Sequence, residues 1–413
     1  MQSNYLVACK CLSCNSTNLI TGIKIVNLPI ADKLLTNPEE TNEELPLTLL
    51  MCANCNLVFI KELVTPEILF PQNYPYFTGI SSVLTKHFKD LAASIITKYK
   101  LNSSSLVIDI GSNDGTALKF FLDTGIKVLG IDPTTRPALK AILNNIPTLR
   151  AFWNNETSAI VAQELNRKAD VVLCNNVISH VFNPAEFIGA LENICSSETN
   201  IIAEFPYLKS IIEKTAFDII FHQHVSYFTI ATFEQLIRPY GFYINDAEVL
   251  AVHGGNLRVY FSKQAKQSVR LEELKNKEIE ANLCDTNLLH KFSEKINTLK
   301  KSTLKMLDSL NEKGVKIMGY GAAGKATMLV KHFELNQQRL SGIIDKNEFK
   351  QNKYFPAYKH KIYSPDVLRD ANNKPDYLLI LAWTLKDEII AELSEFKKGG
   401  GKFIVVLPEW EII

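Results

Sequence analysis

The feature that constrains the fold most is an apolar run that leads into a glycine-rich turn and then a helix-like segment, and it occurs twice. The first copy reads VIDIGSNDGT at 107–116 and the second reads VKIMGYGAAGK at 315–325. Buried parallel strands are continuous apolar runs, and glycine lets the backbone after them turn sharply beside a ligand. Two such copies predict two α/β units in one chain.

Further apolar runs follow each copy at the spacing of alternating strands and helices. After the first copy they are KVLGIDP, DVVLCNN, NIIAEFP, FYINDAEVL and LRVYFSK, and the last two read as an antiparallel pair. After the second copy they are LSGIID, DYLLILAW and KFIVVLP. This alternation predicts a doubly wound sheet in the first unit and another α/β sheet in the second.

The same pattern divides the chain into three expected domains. A cysteine-bearing segment covers 1–70, an α/β domain covers 71–263, and a helical connector with a Rossmann-like α/β domain covers 264–413. A helix is predicted over 82–99, where apolar residues recur at helical spacing, and one or two connecting helices over 264–313. The order therefore places the cysteines before the first α/β unit and the helices between the two units.

Composition limits the partners that we expect. The 413 residues include 45 Lys and Arg against 44 Asp and Glu, so a broad basic surface for nucleic acid is not expected. No apolar run approaches the ~18–20 residues of a membrane span, and the first residues lack the charged-then-apolar pattern of a signal peptide. We therefore expect a cytoplasmic protein without nucleic-acid or membrane partners, and the oligomeric state stays open.

Four cysteines form two matched CxxC pairs, Cys11 with Cys14 and Cys52 with Cys55. Each CxxC turn can direct two sulfurs at one point, and four thiolates complete the tetrahedral shell of a structural zinc ion. The alternatives are a redox-active CxxC or unligated cysteines, and Cys9 could take the place of Cys11. Two pairs among only eight cysteines favour an intracellular zinc site over a disulfide scaffold.

Polar residues after the strands of the first α/β unit form a candidate cofactor site. The loop DIGSNDG is not the GxGxxG of a dinucleotide site and has no P-loop lysine. Asp132 ends the next strand, where it could accept hydrogen bonds from both hydroxyls of a ribose, and Phe152 could stack on an adenine. Because the nearby acids also favour a positive charge, we expect S-adenosylmethionine as the cofactor. The candidate cofactor-binding residues are Asp109, Gly111, Asn113, Asp114, Gly115, Asp132, Phe152 and Asn175.

Histidines occur where the predicted sheet has its carboxyl edge. His180 follows the fourth strand, His222 and His224 follow the fifth, and His253 precedes the last. Histidine is the natural general base near neutral pH, although each of these could instead be a hydrogen-bonded structural residue. His222 and His224 could also suggest a second metal site, but no matching set of carboxylates accompanies them. The candidate substrate-binding residues are Asn176, Glu204, Tyr207, His222, His253, Asn256, Arg258 and Lys325.

The second glycine turn, from Gly319 to Lys325, is a GxGxxG sequence between a strand and a helix. With Asp345 following about 20 residues later, this pattern is typical of an NAD site. A purely structural turn between strand and helix is the alternative.

Longer stretches are more specific than these patterns. They are NYPYFTGIS, DIGSNDGTAL, CNNVISHV, AEFPYL, FDIIFHQHVSYF, HGGNLR, GYGAAGKA and IIDKNEFKQNKYFP. Together with the paired CxxC they extend over nearly the whole chain, and on them the chain resembles the sugar C-methyltransferases, which add a methyl branch to nucleotide-linked keto-deoxysugars. The resemblance implies an N-terminal zinc domain, a class I S-adenosylmethionine domain and a C-terminal Rossmann-like domain, with the sugar nucleotide between the outer domains.

The resemblance also implies roles for individual residues. A carbon next to a ketone becomes a nucleophile after it loses a proton, and the family assigns this proton transfer to the second histidine of a YHEH-type motif, here His224. Tyr76 and His180 match other polar active-site positions, and Lys325 is expected to neutralise the diphosphate beside a helix N-terminus. The expected reaction is methylation at C-3 of a nucleotide-linked 4-keto-deoxysugar.

Two positions depart from that motif, because its tyrosine is Phe221 here and its glutamate is Gln223. Phenylalanine cannot donate a hydrogen bond to an enolate oxygen, and glutamine can form hydrogen bonds but cannot act as a base. The candidate catalytic residues are His224, His180, Tyr76 and, as a hydrogen-bonding group, Gln223. Two alternatives therefore stay open. One is a methyltransferase of the same architecture that acts on another carbon, oxygen or nitrogen. The other is a non-catalytic module that binds zinc and an adenosine ligand.

Overall fold

The computed structural model describes residues 4–25, 27–72 and 74–413. Asn73, the first residue of the NYPYFTGIS stretch, lies outside the described residues. The N-terminal segment contains β1 (Tyr5–Val7), β2 (Leu19–Lys24), β3 (Leu28–Pro29), β4 (Glu44–Leu45), β5 (Thr48–Cys52), β6 (Val58–Ile60), β7 (Glu62–Val64) and α1 (Pro66–Leu69). Strands β2, β5 and β6 form an antiparallel sheet, and β1 pairs with β7.

The central segment folds into a seven-stranded sheet between helices. Its elements are α2 (Ser82–Tyr99), β8 (Leu106–Ile110), α3 (Thr116–Leu122), β9 (Lys127–Ile131), α4 (Thr135–Leu143), β10 (Thr148–Leu149), α5 (Asn155–Leu165), β11 (Val171–Asn175), α6 (Pro184–Ala190), β12 (Asn200–Pro206), α7 (Leu208–Glu213), β13 (Ser226–Tyr227), α8 (Ile230–Ile237), β14 (Tyr243–Val249) and β15 (Asn256–Ser262). The strand order is β10-β9-β8-β11-β12-β15-β14, and β15 is antiparallel to both neighbours. The predicted class I methyltransferase sheet, with its antiparallel pair at one edge, is confirmed.

The C-terminal segment begins with two helices and continues into a six-stranded sheet. Its elements are α9 (Val269–Glu280), α10 (Leu288–Glu312), β16 (Ile317–Tyr320), α11 (Ala326–His332), β17 (Ile343–Ile344), β18 (Ile362–Tyr363), β19 (Tyr377–Ile380), α12 (Lys386–Glu392), α13 (Ser394–Lys398), β20 (Lys402–Val405) and β21 (Glu411–Ile412). The order is β18-β17-β16-β19-β20-β21, parallel except for β21. The predicted second α/β unit is therefore present.

Short 3-10 helices shape the loops at the sheet edges. They are Thr78–Ile80, Ile178–His180, Leu191–Asn193, Phe217–Ile219, Arg238–Tyr240, Val252–Gly254, Pro365–Arg369 and Trp383–Leu385. Helix α2 has the limits that its periodicity predicted. Ser81 accepts a hydrogen bond from the Leu84 N–H at its start, and Lys100 takes the left-handed conformation at its end.

The three segments share hydrophobic cores. One continuous cluster of buried side chains runs from Leu49 of the N-terminal sheet through Phe217 and Phe292 to Ile404 of the C-terminal sheet. Strand β13 pairs with β6, so the central segment supplies a strand to the N-terminal sheet. Helix α10 crosses β2 so closely that a Cβ at Gly22 would come within 2.1 Å of Leu289 Cδ1. Among the described residues, no helix is both long and apolar enough to cross a membrane.

The connecting helix α9 is fastened to the central sheet by a buried carboxylate. Glu278 accepts hydrogen bonds from the Tyr207 hydroxyl at 2.8 Å and from the Ile230 and Ala231 N–H groups at 2.6 and 3.2 Å. The two N–H groups open helix α8, where a helix has no internal acceptor for them. The side chain of Glu278 therefore serves as an acceptor for a neighbouring helix.

We expect Glu278→Ala to lower the free energy of unfolding by about 2 kcal/mol or more, because it leaves two buried donors, the Tyr207 hydroxyl and the Ile230 N–H, unpaired at ~1–3 kcal/mol each. Thermal and urea unfolding measure the change. The matched control is Glu273→Ala, on the exposed face of the same helix. Equal stability of the two variants would contradict the structural role of Glu278.

Candidate active site

One cavity of about 920 Å³ lies between the carboxyl edges of the two α/β sheets. All three segments contribute to its wall, including Asp32 and Phe70 from the first, Asp132 and His224 from the second and Lys325 from the third. Ligands of open α/β sheets bind at this edge because the loops that follow parallel strands converge there. The cavity is therefore the candidate active site.

The first glycine loop forms one wall of the cavity. Gly111 has φ = 78°, and a Cβ there would come within 2.9 Å of the Val177 side chain, so only glycine fits. The Asn113 N–H donates to the Asp132 carboxylate at 2.8 Å, and the Asn113 side-chain oxygen accepts from the Thr78 N–H at 2.9 Å. These bonds hold the loop between the second strand of the sheet and the segment that carries Tyr76.

Two carboxyl groups in this wall, Asp109 and Asp132, lack a positive partner. Burial raises the pKa of Asp109 well above its usual range, and the negative charges of Asp132 and Glu204 add to the effect. Burial also raises the pKa of Asp132, against hydrogen bonds from Thr134 and Asn113. Among the described residues, no lysine or arginine is a main cause of the pKa shift of either carboxyl group. A cationic ligand would supply the missing countercharge.

Phe152 and Asn175 lie in the same half of the cavity. Phe152 lines the cavity and is 38% exposed, so part of its side chain is accessible to a ligand. The side-chain oxygen and nitrogen of Asn175 are buried, and within the described chain neither has a hydrogen-bond partner. Burying an amide without hydrogen-bond partners costs free energy, and polar atoms of a bound ligand would supply the missing partners of Asn175. These residues, the glycine loop and the two acids together fit an adenosine ligand with a positive charge.

The structure does not bring Asp114 and Gly115, two of the predicted cofactor residues, to the cavity wall. Asp114 accepts hydrogen bonds from the Thr116 hydroxyl at 2.6 Å and from Lys140 at 3.0 Å. Gly115 caps α3 with φ = 75°, against Ile146. Both residues support the loop from behind.

His224 lies in the cavity wall, and its hydrogen bond fixes which ring nitrogen carries the proton. Its Nδ1 lies 2.6 Å from the Ile219 carbonyl oxygen, which can only accept, so Nδ1 is protonated and Nε2 keeps its lone pair. Burial lowers the pKa of His224 well below 6.5, and the neighbouring His180 lowers it further. At neutral pH the imidazole is therefore uncharged and Nε2 is able to accept a proton.

His180 repeats this arrangement beside it. Its Nδ1–H donates to the Gln223 carbonyl at 2.6 Å, and burial lowers its pKa to about 4. The two rings are edge to face, with centroids 4.8 Å apart. Tyr76 lies in the same wall, and burial there raises its pKa to about 12, so its hydroxyl stays protonated at neutral pH. The site thus combines neutral imidazoles with a phenol that can donate.

The two residues that depart from the family motif also lie in the wall. The Phe221 ring packs on His224 with centroids 4.2 Å apart. Gln223 is 2% exposed, and its side-chain nitrogen donates to the Leu69 carbonyl at 3.5 Å. Its side-chain oxygen has no partner among the described residues. The motif therefore surrounds His224 with an apolar ring and an uncharged amide.

Of the predicted substrate residues, the structure brings Asn176, His253 and Lys325 into the cavity wall. The other five are outside that wall and have protein partners. Their contacts are Glu204 with Arg258 and His87, Arg258 also with Glu248, Tyr207 with Glu278, Asn256 with Asn176, and His222 with the Pro46 carbonyl. Glu204 and Arg258 are cross-strand neighbours in register, so they form a buried ion pair under the site.

The second glycine loop forms the opposite wall. Lys325 donates to the Thr384 hydroxyl at 2.6 Å, and burial lowers its pKa despite the charge of Asp218. Helix α11 begins after Lys325 and has only seven residues. A Cβ at Gly324 would come within 2.5 Å of an Asp32 carboxylate oxygen, so an acid from the N-terminal segment stands against this loop.

Sequence reasoning missed three residues here: Asp32, Lys350 and Trp383. Lys350 donates to the Ala322 carbonyl at 2.7 Å and lies 3.9 Å from Asp32, while Trp383 stands behind Lys325. No local sequence pattern connects Asp32, Lys350 or Trp383 with the residues that it contacts. The only sequence signal for any of them was the family-specific stretch IIDKNEFKQNKYFP, which contains Lys350.

The four cysteines of the CxxC pairs form a separate cluster. Their sulfur atoms all lie within 4.8 Å of one another, and Cys11–Cys55 and Cys14–Cys52 are 3.4 and 3.6 Å apart. Four sulfurs at about 2.3 Å from a central zinc ion are separated by similar distances. Cys9 is exposed and outside the cluster, so it does not replace Cys11. The donor set and its spacing fit a structural zinc ion.

Family models match three consecutive parts of the chain. A zinc binding domain matches residues 11–70, a methyltransferase domain matches 84–246, and a C-methyltransferase C-terminal domain matches 251–408. The C-methyltransferase NovU of Streptomyces niveus is 26% identical over 409 residues, which cover 98% of this chain and 96% of that protein.

Solved structures resemble a smaller part of the chain. Magnesium protoporphyrin IX methyltransferase (ChlM) from Synechocystis PCC 6803 with bound SAM is 14% identical, with a TM-score of 0.34 over 44% of this chain and 79% of that chain. The PH0226 protein from Pyrococcus horikoshii OT3 is 14% identical, with a TM-score of 0.36 over 48% of this chain and 98% of that chain. These similarities are too low to carry an argument about cofactor or acceptor.

The geometry and the family models agree on the class of protein. Three family models follow one another along the chain in the order of its three segments, and a C-methyltransferase aligns with nearly its full length. The cavity wall formed by the methyltransferase segment suits a cationic adenosine ligand, and the cysteine cluster suits zinc. The chain is thus an S-adenosylmethionine-dependent methyltransferase, and its three segments match a zinc binding domain, a methyltransferase domain and a C-methyltransferase C-terminal domain.

Proposed function

We propose that this enzyme methylates a carbon next to the ketone of a nucleotide-linked 4-keto-deoxysugar, at C-3, with His224 as the base. The observation that carries the proposal is a neutral imidazole whose Nε2 keeps its lone pair, in a cavity bounded by two nucleotide-type folds. A volume of about 920 Å³ is near the upper end of the ~300–1,000 Å³ of small-molecule sites, which suits two ligands side by side.

The base step follows from the hydrogen bond of His224. With Nδ1–H donated to the Ile219 carbonyl, Nε2 takes the proton from the acceptor carbon and the ring becomes an imidazolium ion. The carbonyl of Ile219 then stabilises the positive charge that develops on the ring. The Tyr76 hydroxyl is the group that we assign to the enolate oxygen, because it stays protonated at neutral pH.

The remaining wall residues orient the two ligands. The Gly111–Asn113 loop, Asp132 and Phe152 hold the S-adenosylmethionine side of the cavity. When bound there, S-adenosylmethionine supplies an electrophilic methyl group, which the acceptor carbon takes up. On the opposite side, the ammonium groups of Lys325 and Lys350 each use one donor on the protein and keep others for a diphosphate.

We expect His224→Asn to lower methyl transfer by about a hundredfold or more, because a positioned general base contributes roughly 10²–10⁴-fold. Binding of S-adenosylmethionine, measured by calorimetry, should stay essentially unchanged, since Nε2 faces the acceptor. The matched control is His290→Asn, on the solvent side of α10 with 75% of its side chain exposed. Full activity in His224→Asn would reject His224 as the base.

The apolar Phe221 and the uncharged Gln223 favour one competing proposal, transfer to another carbon, oxygen or nitrogen. We expect turnover with a nucleotide-linked 4-keto-deoxysugar to give a product whose new methyl carbon is bonded to carbon. Carbon NMR with ¹³C-methyl-labelled cofactor distinguishes this signal from that of an O-methyl or N-methyl group. An O-methyl or N-methyl product would replace the proposal. If no S-adenosylhomocysteine forms with any keto-sugar nucleotide, the result would favour a non-catalytic binding module.

The zinc ion is assigned a structural role, because four protein thiolates leave no position for water or substrate. We expect about one zinc per chain in protein purified without chelator, and both zinc content and melting temperature should fall in Cys14→Ser. The matched control is Cys284→Ser, an exposed cysteine outside the cluster. A folded, zinc-free wild-type protein would contradict the assignment.

A further inference from the structure

Three 3-10 turns from two different segments converge behind the base. They are Phe217–Ile219, Val252–Gly254 and Trp383–Leu385. The first holds the Ile219 carbonyl that accepts from His224, and the second holds His253 of the cavity wall. The third belongs to the C-terminal segment, so part of the support for the central site comes from outside it.

Trp383 makes the contacts between these turns. Its Nε1–H donates to the Asp218 carboxylate at 2.8 Å, and both residues are buried, at 6% and 0% exposed. Gly254 has φ = 89°, and a Cβ there would come within 2.9 Å of Trp383 Cη2. One indole is therefore wedged against one loop and hydrogen-bonded to the other.

The covalent neighbour of Asp218 is the residue that sets the tautomer of His224. We infer that Trp383 and Asp218 are positioning residues that hold the Ile219 carbonyl in place, and so keep His224 with Nδ1 protonated and Nε2 free. The inference rests on the proposed role of His224. Through the Trp383–Asp218 contact, packing of the C-terminal segment would hold His224 of the methyltransferase segment in the tautomer that a base needs.

The chemistry of the Trp383–Asp218 contact supports this role. The turn that carries Ile219 is only three residues long, and Asp218 is its middle residue. Without the indole N–H, the buried carboxylate of Asp218 loses its hydrogen bond to another side chain and depends on the N–H groups of Asp218 and Ile219 in its own turn. Loss of one partner of a buried carboxylate favours rearrangement of this turn, which contains the Ile219 carbonyl. A shift of the Ile219 carbonyl would free the Nδ1 proton of His224.

The test is long-range ¹H–¹⁵N NMR of protein labelled at histidine, with His224→Asn used to assign the His224 signals. We expect a protonated Nδ1 and an unprotonated Nε2 in the wild type. In Trp383→Phe and Asp218→Ala, both nitrogen signals should move toward the average of the two tautomers. Asp218→Asn keeps an acceptor oxygen for the indole and should retain the wild-type pattern.

Kinetics give the second readout. We expect kcat to fall by about tenfold to a hundredfold in Trp383→Phe, because misplacing a catalytic group by about 1 Å costs this much, while KM for S-adenosylmethionine stays unchanged. The matched control is Trp410→Phe, at a half-exposed site outside the cavity wall. Wild-type His224 signals in both Trp383→Phe and Asp218→Ala would overturn the inference, and so would an equal change in Trp410→Phe.

The NMR experiment needs no acceptor. Failure to methylate any keto-sugar nucleotide would therefore count against the proposed function and leave the positioning role to be decided by the His224 signals. Conversely, if the enzyme is active and the His224 signals do not change in Trp383→Phe and Asp218→Ala, the proposed function is retained and the positioning role is rejected.

Discussion

The catalytic segment depends on the backbone hydrogen bonds of one residue, Val225. Its N–H donates to the Ser179 carbonyl at 2.6 Å, and its carbonyl accepts from the Ile60 N–H at 2.9 Å. The first bond joins it to the loop of His180 and the second to the N-terminal sheet. Because Val225 directly follows His224, these backbone hydrogen bonds fix the position of His224 relative to two segments. Cys52 of the cysteine cluster ends β5 of that sheet, so a zinc ion held by the cluster would order the sheet to which this segment is attached.

The two glycine loops that face each other are stabilised in the same way. In the central sheet Asp132 accepts from the Asn113 N–H at 2.8 Å, and in the C-terminal sheet Asp345 accepts from the Ala322 N–H at 2.7 Å. In each case an acid at the end of the next strand holds the loop after the first strand. The loops differ in what stands against them. The carboxylate of Asp32, from the N-terminal segment, lies beside Gly324 of the second loop.

Local patterns in the sequence were sufficient for most of the fold. Most strands of the two α/β sheets, helix α2 and the cysteine cluster follow from apolar runs, helical periodicity and CxxC spacing, which are properties of short stretches. The strands of the N-terminal segment were not predicted. The parallel-sheet rule also brought polar residues to the correct edge. It could not say which of them face the cavity. Glu204 and Arg258 turn toward each other because antiparallel register makes them neighbours, and register is a property of two distant strands.

The same limit applies to residues that act across segments. His222 and His224 lie in a turn before β13, where the alternation of a strand does not apply, so their directions do not follow from their spacing. His222 meets the Pro46 carbonyl and His224 lines the cavity. Asp218 and Trp383 are 165 residues apart, and no pattern joins them. Contacts of this kind become visible only after the segments are packed.

Desolvation moves the pKa values of the proposed base, His224, and the proposed hydrogen-bond donor, Tyr76, in opposite directions. It lowers the pKa of His224 well below 6.5 and raises the pKa of Tyr76 to about 12, although Tyr76 is 41% exposed. Because the two pKa values lie on opposite sides of neutrality, the imidazole can accept a proton and the phenol can donate a hydrogen bond throughout the neutral pH range. A base with so low a pKa is weak, and a weak base removes a proton from carbon only if the developing enolate is stabilised. In the proposed mechanism the Tyr76 hydroxyl provides this stabilisation, since Phe221 has no hydroxyl. The different roles proposed for His224 and Tyr76 would then follow from desolvation and not from a charged partner of the histidine.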